Sequence, residues 1–155
     1  MKKRFQPSKD IKFYNVLFPL WMLLMFPQMW LIVLPGNFII DSLVLLISMI
    51  ALKFADKKAC YKKYILKIYC IGLLSDFIGA LYMFLMVAVF EIGHMGDELY
   101  ITLPALMISA ILIFSLNYFI TFRKNNKNHR IILSLVFAIV TAPYTFLVPS
   151  AWLYG

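Results

Sequence analysis

Two aspartates lie inside long apolar stretches of this chain, where a charged side chain is costly to place. Asp41 follows residues 35–37, which have the composition of a turn, and Asp76 lies near the middle of the apolar stretch at 65–90. Ionisable groups in such stretches mark ion pathways and proton relays, or they pair with other polar groups between helices. These two residues therefore predict hydrogen bonding between helices, with the binding of a proton or a cation as the alternative.

Uncharged polar residues at matching depths are the expected partners of the two acids. Asn117 and Ser75 are predicted to lie near the level of Asp76, and Gln28 near the level of Asp41 across the turn-like residues. A buried carboxyl group needs such partners because hydrocarbon supplies none. We therefore expect one polar cluster of Gln28 and Asp41, and a second cluster of Ser75, Asp76 and Asn117.

The chain offers little other chemistry. It contains no His-Glu-x-x-His, Gly-x-Ser-x-Gly or Walker motif, so we expect no catalytic residue and no enzymatic activity. Glu91 and His94 stand at helical spacing, but a metal site needs three or four ligands of defined geometry. We therefore expect neither a metal nor a cofactor. The two aspartates are predicted at different depths, which disfavours a carboxylate dyad.

The composition places these residues in a membrane. The chain has 155 residues, of which 63% are hydrophobic and 14% are charged. A soluble domain of this length cannot bury so much apolar surface. Its apolar stretches reach the roughly 20 residues that a helix needs to cross the hydrocarbon layer of a bilayer. The sequence therefore predicts a single all-α, multi-pass membrane domain over residues 1–155.

Turn signals and charges divide this domain into about five predicted transmembrane helices. Their approximate bounds are 13–34, 38–52, 65–90, 100–122 and 131–153. The break between the first two is predicted at Pro35-Gly36-Asn37, because proline favours the first central position of a turn and glycine tolerates a positive φ. The second predicted helix is short for a bilayer, and the third is long enough that we expect it to tilt.

The distribution of charge predicts the orientation of the bundle. All 15 lysines and arginines lie in three segments, at 1–12, 53–67 and 123–130. The connections at 35–37 and 91–99 contain no cation, and the second of them carries three acids. Cytoplasmic segments are rich in Lys and Arg, which predicts a cytoplasmic N-terminus and an external C-terminus. The basic segments are expected to meet anionic lipid headgroups at the cytoplasmic face.

Small residues at helical spacing mark the faces on which helices are expected to pack. Gly72 and Gly79 lie on one face of the third predicted helix, and Ser134, Ala138 and Ala142 form a stripe on the last one. Small side chains let helix backbones approach closely in a membrane, where packing rather than hydrophobic burial drives association. We therefore expect both faces to contact protein rather than lipid.

The sequence thus predicts a small multi-pass protein of a cell (plasma) membrane. Lysine greatly outnumbers arginine, which is typical of an AT-rich bacterial genome. Two functions stay open: a transport or permeation component, and a structural, accessory or regulatory subunit of a larger membrane complex. The expected partners are the lipid bilayer and either a second copy of the chain or another membrane protein. Nucleic acid is not expected, because no soluble domain is left to bind it.

Overall fold

The computed structural model describes residues 27–92 and 98–147, and its regular elements there are all helical. They are α1 (Pro27–Ala51), α2 (Lys57–Phe84, extended by a π-helical turn, Leu85–Val89), α3 (Leu99–Leu116, extended by a π-helical turn, Asn117–Thr121), α4 (Lys127–Val140) and a short 3-10 helix (Tyr144–Leu147). Four helical stretches are long and apolar enough to cross a membrane. The all-α class is therefore confirmed for the described residues, and the length and composition of these four helices are compatible with a membrane domain.

The turn predicted at residues 35–37 is wrong, because α1 runs through all three without a break. A proline removes only one N–H donor from a helix. An open turn at membrane depth would instead leave several backbone groups unpaired, and hydrocarbon cannot satisfy them. The predicted helix at 38–52 is therefore the second part of α1. The predicted helix at 13–34 contributes its last residues to α1, and residues 13–26 lie outside the described part of the chain.

The remaining predicted helices correspond to observed ones with altered bounds. The prediction at 100–122 agrees with α3 and its π-helical turn. The prediction at 65–90 began too late, since α2 starts at Lys57. Lysine side chains extend their apolar stems along a helix and carry the charge to the interface, so a membrane helix can begin with several lysines.

The last predicted helix, at 131–153, is too long, because α4 ends at Val140. Pro143 has no N–H group to donate to the carbonyl of Ile139 one turn earlier. That carbonyl accepts a hydrogen bond from Oη of Tyr144 instead. The chain therefore leaves the helix axis here, and residues 148–155 lie outside the described part.

The two basic connections, residues 52–56 and 122–126, lie at the same end of the bundle. Phe54 packs against His129 in the first turn of α4, with ring centroids 5.4 Å apart. Tyr64 Oη donates a hydrogen bond of 2.9 Å to Oδ1 of Asn125. Short connections of this kind join antiparallel neighbours. The basic segments that are distant in the sequence are therefore adjacent in space, and this end is called the basic end below.

Two apolar clusters form the core of the described residues. The cluster nearer the basic end joins all four helices and includes Leu45, Met49, Tyr64, Ile68, Ile113, Phe122, Leu133 and Phe137. The second consists of Ala80, Met83, Ile101, Ala105 and Phe146. On α2, the residues of the first cluster lie within 64–68 and those of the second cluster lie within 80–83. Asp76 lies in the interval between them, where α1, α2 and the end of α4 meet.

Candidate functional site

Asp76 lies in the interior of the bundle, as predicted, with 7% of its surface exposed. Its Oδ2 accepts a hydrogen bond of 3.3 Å from Nδ2 of Asn37 on α1. Its Oδ1 has no hydrogen-bond partner among the described residues. One carboxylate oxygen thus links α2 to α1, and the other is buried without a partner among the described residues.

Asn117 and Ser75, the partners predicted from the sequence, do not bond to Asp76. Ser109 Oγ donates to the carbonyl oxygen of Ser75 at 2.9 Å, so residue 109 of α3 is level with the acid. Residue 117 lies about 12 Å further toward the basic end by the helical rise. The prediction that these residues meet Asp76 is therefore wrong, because depth along one helix does not give its register against another.

Asn117 is nevertheless an unusual residue. It begins the π-helical turn of α3, is 1% exposed, and neither of its amide atoms has a hydrogen-bond partner in the described part of the chain. Ser75 is also fully buried, and its hydroxyl is likewise unpaired among the described residues. Both residues are therefore interior polar groups, but the structure assigns them to different levels of the bundle.

Asp41 lies one helical turn after Asn37 on α1 and is 4% exposed. Its Oδ2 is 3.5 Å from the position that a Cβ atom would occupy on Gly72. Gly72 precedes Asp76 by one turn of α2, so both acids share the α1–α2 interface with an offset of about 6 Å in helical rise. The predicted separation of the aspartates into two clusters is therefore wrong. The side chain of Gln28, the predicted partner of Asp41, lies outside the described residues.

A cavity of about 390 Å³ lies beside Asp76. Its walls are formed by Val33, Gly36, Asn37 and Ile40 of α1, by Asp76 of α2, and by residues 140–145. The chain leaves the axis of α4 at Val140, so within residues 27–92 and 98–147 no further turn of α4 fills this space. Its volume falls in the range of roughly 300–1,000 Å³ that is usual for small-molecule sites.

The cavity combines one acid with neutral polar groups. Thr141, Tyr144 and Thr145 line it opposite Asn37 and Asp76. A carboxylate with hydroxyl and carbonyl oxygens nearby suits a proton or a hard cation, which prefers oxygen ligands. Within residues 27–92 and 98–147, no group of three His, Cys, Asp or Glu side chains is placed to hold a metal ion. The lining thus offers the oxygen groups that a proton or a small cation of low charge prefers.

Gly36 contributes open space to this cavity. A Cβ atom built at Gly36 would meet no other atom within 4 Å. The sequence assigned Gly36 and Asn37 to a turn, so their place in the site was missed. The available signal was the spacing of Asn37 and Asp41, which lie four residues apart and share one face if the helix is continuous.

The predicted small-residue faces lie within the bundle, but their residues contact different neighbouring helices. A Cβ atom on Gly79 would lie 2.7 Å from Cε2 of Phe146 and 3.3 Å from the carbonyl oxygen of Ala105, so α3 and the 3-10 helix pack directly on this glycine. Gly72 instead faces Asp41. The predicted stripe on the last helix is buried throughout: Ser134, Ala138 and Ala142 are 0%, 7% and 8% exposed. Ala142 belongs to the segment after α4 rather than to the helix.

The site therefore consists of two carboxyl groups and an amide at one helix interface, opening on a cavity that the broken end of α4 leaves unfilled. Asp76 and Asn37 line the cavity, and Asp41 lies one turn away. Comparisons of the chain with protein-family models, with curated proteins and with solved structures give no match.

Proposed function

We propose that this protein is a transport or permeation component of a membrane, and that Asp76 binds the proton or small cation that crosses. The proposal rests on one observation: a buried carboxyl group at the wall of the cavity has an oxygen without a partner among the described residues. A charged side chain at the centre of a membrane helix costs about 2.5–3.5 kcal/mol even on insertion scales, and such residues mark ion pathways. No catalytic step is proposed.

The proposed setting is a bacterial plasma membrane, with the basic end of the bundle in the cytoplasm. The enrichment of Lys and Arg in cytoplasmic segments supports this orientation, as does the adjacency of the connections that carry Phe54 and Asn125. Because α1 begins at the opposite end, residues 1–12 reach the cytoplasm only if residues 13–26 also cross. The arrangement proposed is therefore five crossings with an internal N-terminus and an external C-terminus.

A structural function is the second candidate, and the hydrogen bonds of the site favour it. Asn37 joins α1 to Asp76 of α2, and Ser109 joins α3 to Ser75 of α2. Polar bonds of this kind stabilise helix association in membranes. In an accessory or regulatory subunit the acid would only hold the helices together, and a second copy or another membrane protein would be the partner.

Flux measurements on purified protein in liposomes separate the two candidates. Proton, sodium and potassium fluxes are followed with entrapped dyes under an imposed gradient for the wild type and for Asp76→Asn. Asp56→Asn is the matched control, because Asp56 is exposed at the start of α2 and away from the cavity. If the protein is a transport component, Asp76→Asn should lower the flux at least tenfold and Asp56→Asn should leave it unchanged.

Gly36→Leu tests the cavity itself. The new side chain enters open space, so we expect the fold and the bond between Asn37 and Asp76 to remain while the flux falls. Thermal unfolding in detergent shows whether folding is preserved. Wild-type protein without flux of any of the three ions, or full flux in both Asp76→Asn and Gly36→Leu, contradicts the transport proposal. A loss of thermal stability alone in Asp76→Asn supports the structural function.

A further inference from the structure

A groove of about 560 Å³ lies between α1 and α2 at the basic end, remote from the cavity beside Asp76. It is lined by Leu46 of α1 and by Lys57, Lys58, Ala59, Tyr61 and Lys62 of α2. Among the described residues, no carboxylate lines it. The groove therefore combines an apolar floor with three cations.

The floor of this groove is held in place by a contact between the two helices. Tyr61 Oη and Ser42 Oγ are 2.9 Å apart and share a hydrogen bond. Tyr61 lies within the first two turns of α2, at the depth where aromatic side chains meet the headgroup layer. Beyond this contact the two helices leave the space that Leu46 and Ala59 line. Along α2, Lys57 and Lys58 lie at the basic end of the groove, and Lys62 lies beside Tyr61 at its other end.

We propose that this groove binds one anionic phospholipid. Its phosphate group is held by Lys57, Lys58 and Lys62, and the first part of an acyl chain lies along Leu46, Ala59 and Tyr61. The charges are complementary, and basic pockets between transmembrane helices are suited to anionic headgroups. The lysine stems extend along the apolar floor and keep their ammonium groups at the interface.

Other cations at this end of the bundle are engaged differently. Lys63 Nζ lies 5.0 Å from the ring centroid of Tyr64, outside the groove. The guanidinium of Arg130 stacks 3.6 Å from the ring centroid of Tyr118 and donates from Nε to the carbonyl oxygen of the same residue. The groove lysines are therefore distinguished by their common position on one cavity rather than by charge alone.

Native mass spectrometry in a neutral detergent measures the binding directly. The full chain is titrated with phosphatidylglycerol and, separately, with phosphatidylcholine. We expect one phosphatidylglycerol to bind at least tenfold more tightly than phosphatidylcholine. The triple variant Lys57→Gln, Lys58→Gln, Lys62→Gln should lose that preference at least tenfold. The matched variant Lys63→Gln, Lys67→Gln, Lys124→Gln removes the same charge outside the groove and should retain the wild-type affinity within twofold.

Two further measurements test whether a lipid with an acyl chain occupies the groove. Ala59→Trp places a large ring in the apolar part and should weaken phosphatidylglycerol binding while leaving all cations in place. Soluble glycerol phosphate should not compete, because it lacks an acyl chain. Equal losses in the two lysine variants, equal affinity for both lipids, or full competition by glycerol phosphate would each overturn the proposal. None of these outcomes bears on flux through the cavity beside Asp76.

Discussion

Gly79 of α2 packs against Ser109 of α3 with no room for a side chain between them. The hydroxyl of Ser109 passes this glycine and donates to the carbonyl oxygen of Ser75, one turn earlier on α2, at 2.9 Å. The close approach and the hydrogen bond depend on each other, because the serine reaches the carbonyl only where the glycine lets the helices approach. This contact fixes the register of α2 and α3, and with it the level of Asp76.

Gly79→Ala should therefore destabilise the bundle by about 1–3 kcal/mol, the usual cost of overpacking an interior. The added methyl group would lie 2.7 Å from Cε2 of Phe146 and closer still to Ser109 Oγ, so both side chains must shift or the helices must separate. Gly72→Ala is the control, because its nearest contact, Asp41 Oδ2 at 3.5 Å, is an ordinary one. Thermal unfolding in detergent compares the variants, and equal stability would contradict the assigned register.

The hydrogen bond between Asn37 and Asp76 predicts an energetic coupling across the α1–α2 interface. A double-mutant cycle with Asn37→Ala and Asp76→Ala should give an interaction energy of about 0.5–2 kcal/mol, the range of polar pairs in membrane bundles. Asn37→Ala combined with Ser109→Ala is the control, since Ser109 bonds to a different partner. That pair should be additive to within about 0.5 kcal/mol. Additivity in both cycles would refute the bond.

Lys53 ends α1 in the left-handed conformation, with a φ of 52°. Phe54 N donates to the carbonyl of Met49 at 3.0 Å and Lys53 N to that of Ile50 at 3.2 Å, the bonding pattern of a Schellman motif. A side chain in this conformation costs roughly 1–2 kcal/mol, which glycine avoids. Lys53→Gly should therefore raise the free energy of unfolding by about 1 kcal/mol. Lys53→Ala removes the same charge and should not raise the free energy of unfolding. If both variants raise it, the effect is due to the loss of charge.

Ala138 on α4 should not accept a larger side chain. It is 7% exposed and belongs to the apolar cluster near the basic end. Ala138→Leu should cost about 1–3 kcal/mol, because extra methylene groups force neighbouring side chains off their rotamers. Ala88→Leu is the matched control, since Ala88 is exposed on the π-helical turn of α2. Tolerance of both substitutions in an unfolding assay would remove α4 from the core.

The charge distribution predicts the side of each connection. Reporter fusions at Lys58 and Lys127 should report the cytoplasm, and fusions at Gly96 and Gly155 should report the exterior. A fusion at Met1 tests the fifth crossing, since residues 13–26 would rise only about 21 Å as a helix, against the roughly 30 Å of hydrocarbon. An external Met1 would leave four crossings, and opposite sides for Lys58 and Lys127 would refute the bundle.

The all-α class and the confinement of the cations to three segments could be predicted from the amino-acid sequence. An all-α membrane protein follows from apolar runs and their length, because each helix must satisfy its own backbone within the hydrocarbon. The burial of Asp76 and of the stripe from Ser134 to Ala138 also followed from composition and helical spacing. These properties depend on the hydrophobicity of each segment and on the spacing of its residues, and both can be read directly from the sequence.

Which polar groups meet depends on how the helices pack, and this could not be predicted from the sequence. Asp76 bonds to Asn37 rather than to Asn117, and Asp41 joins the same interface, because α1 continues through Pro35. The proline costs α1 one hydrogen bond, whereas a break in the helix would leave several backbone groups unpaired. Turn propensities of single residues do not include this difference in backbone hydrogen bonding. Depth along one helix also gives no register against another. Register follows from side-chain contacts such as that between Gly79 and Ser109, where the fit of two surfaces sets the level of the site.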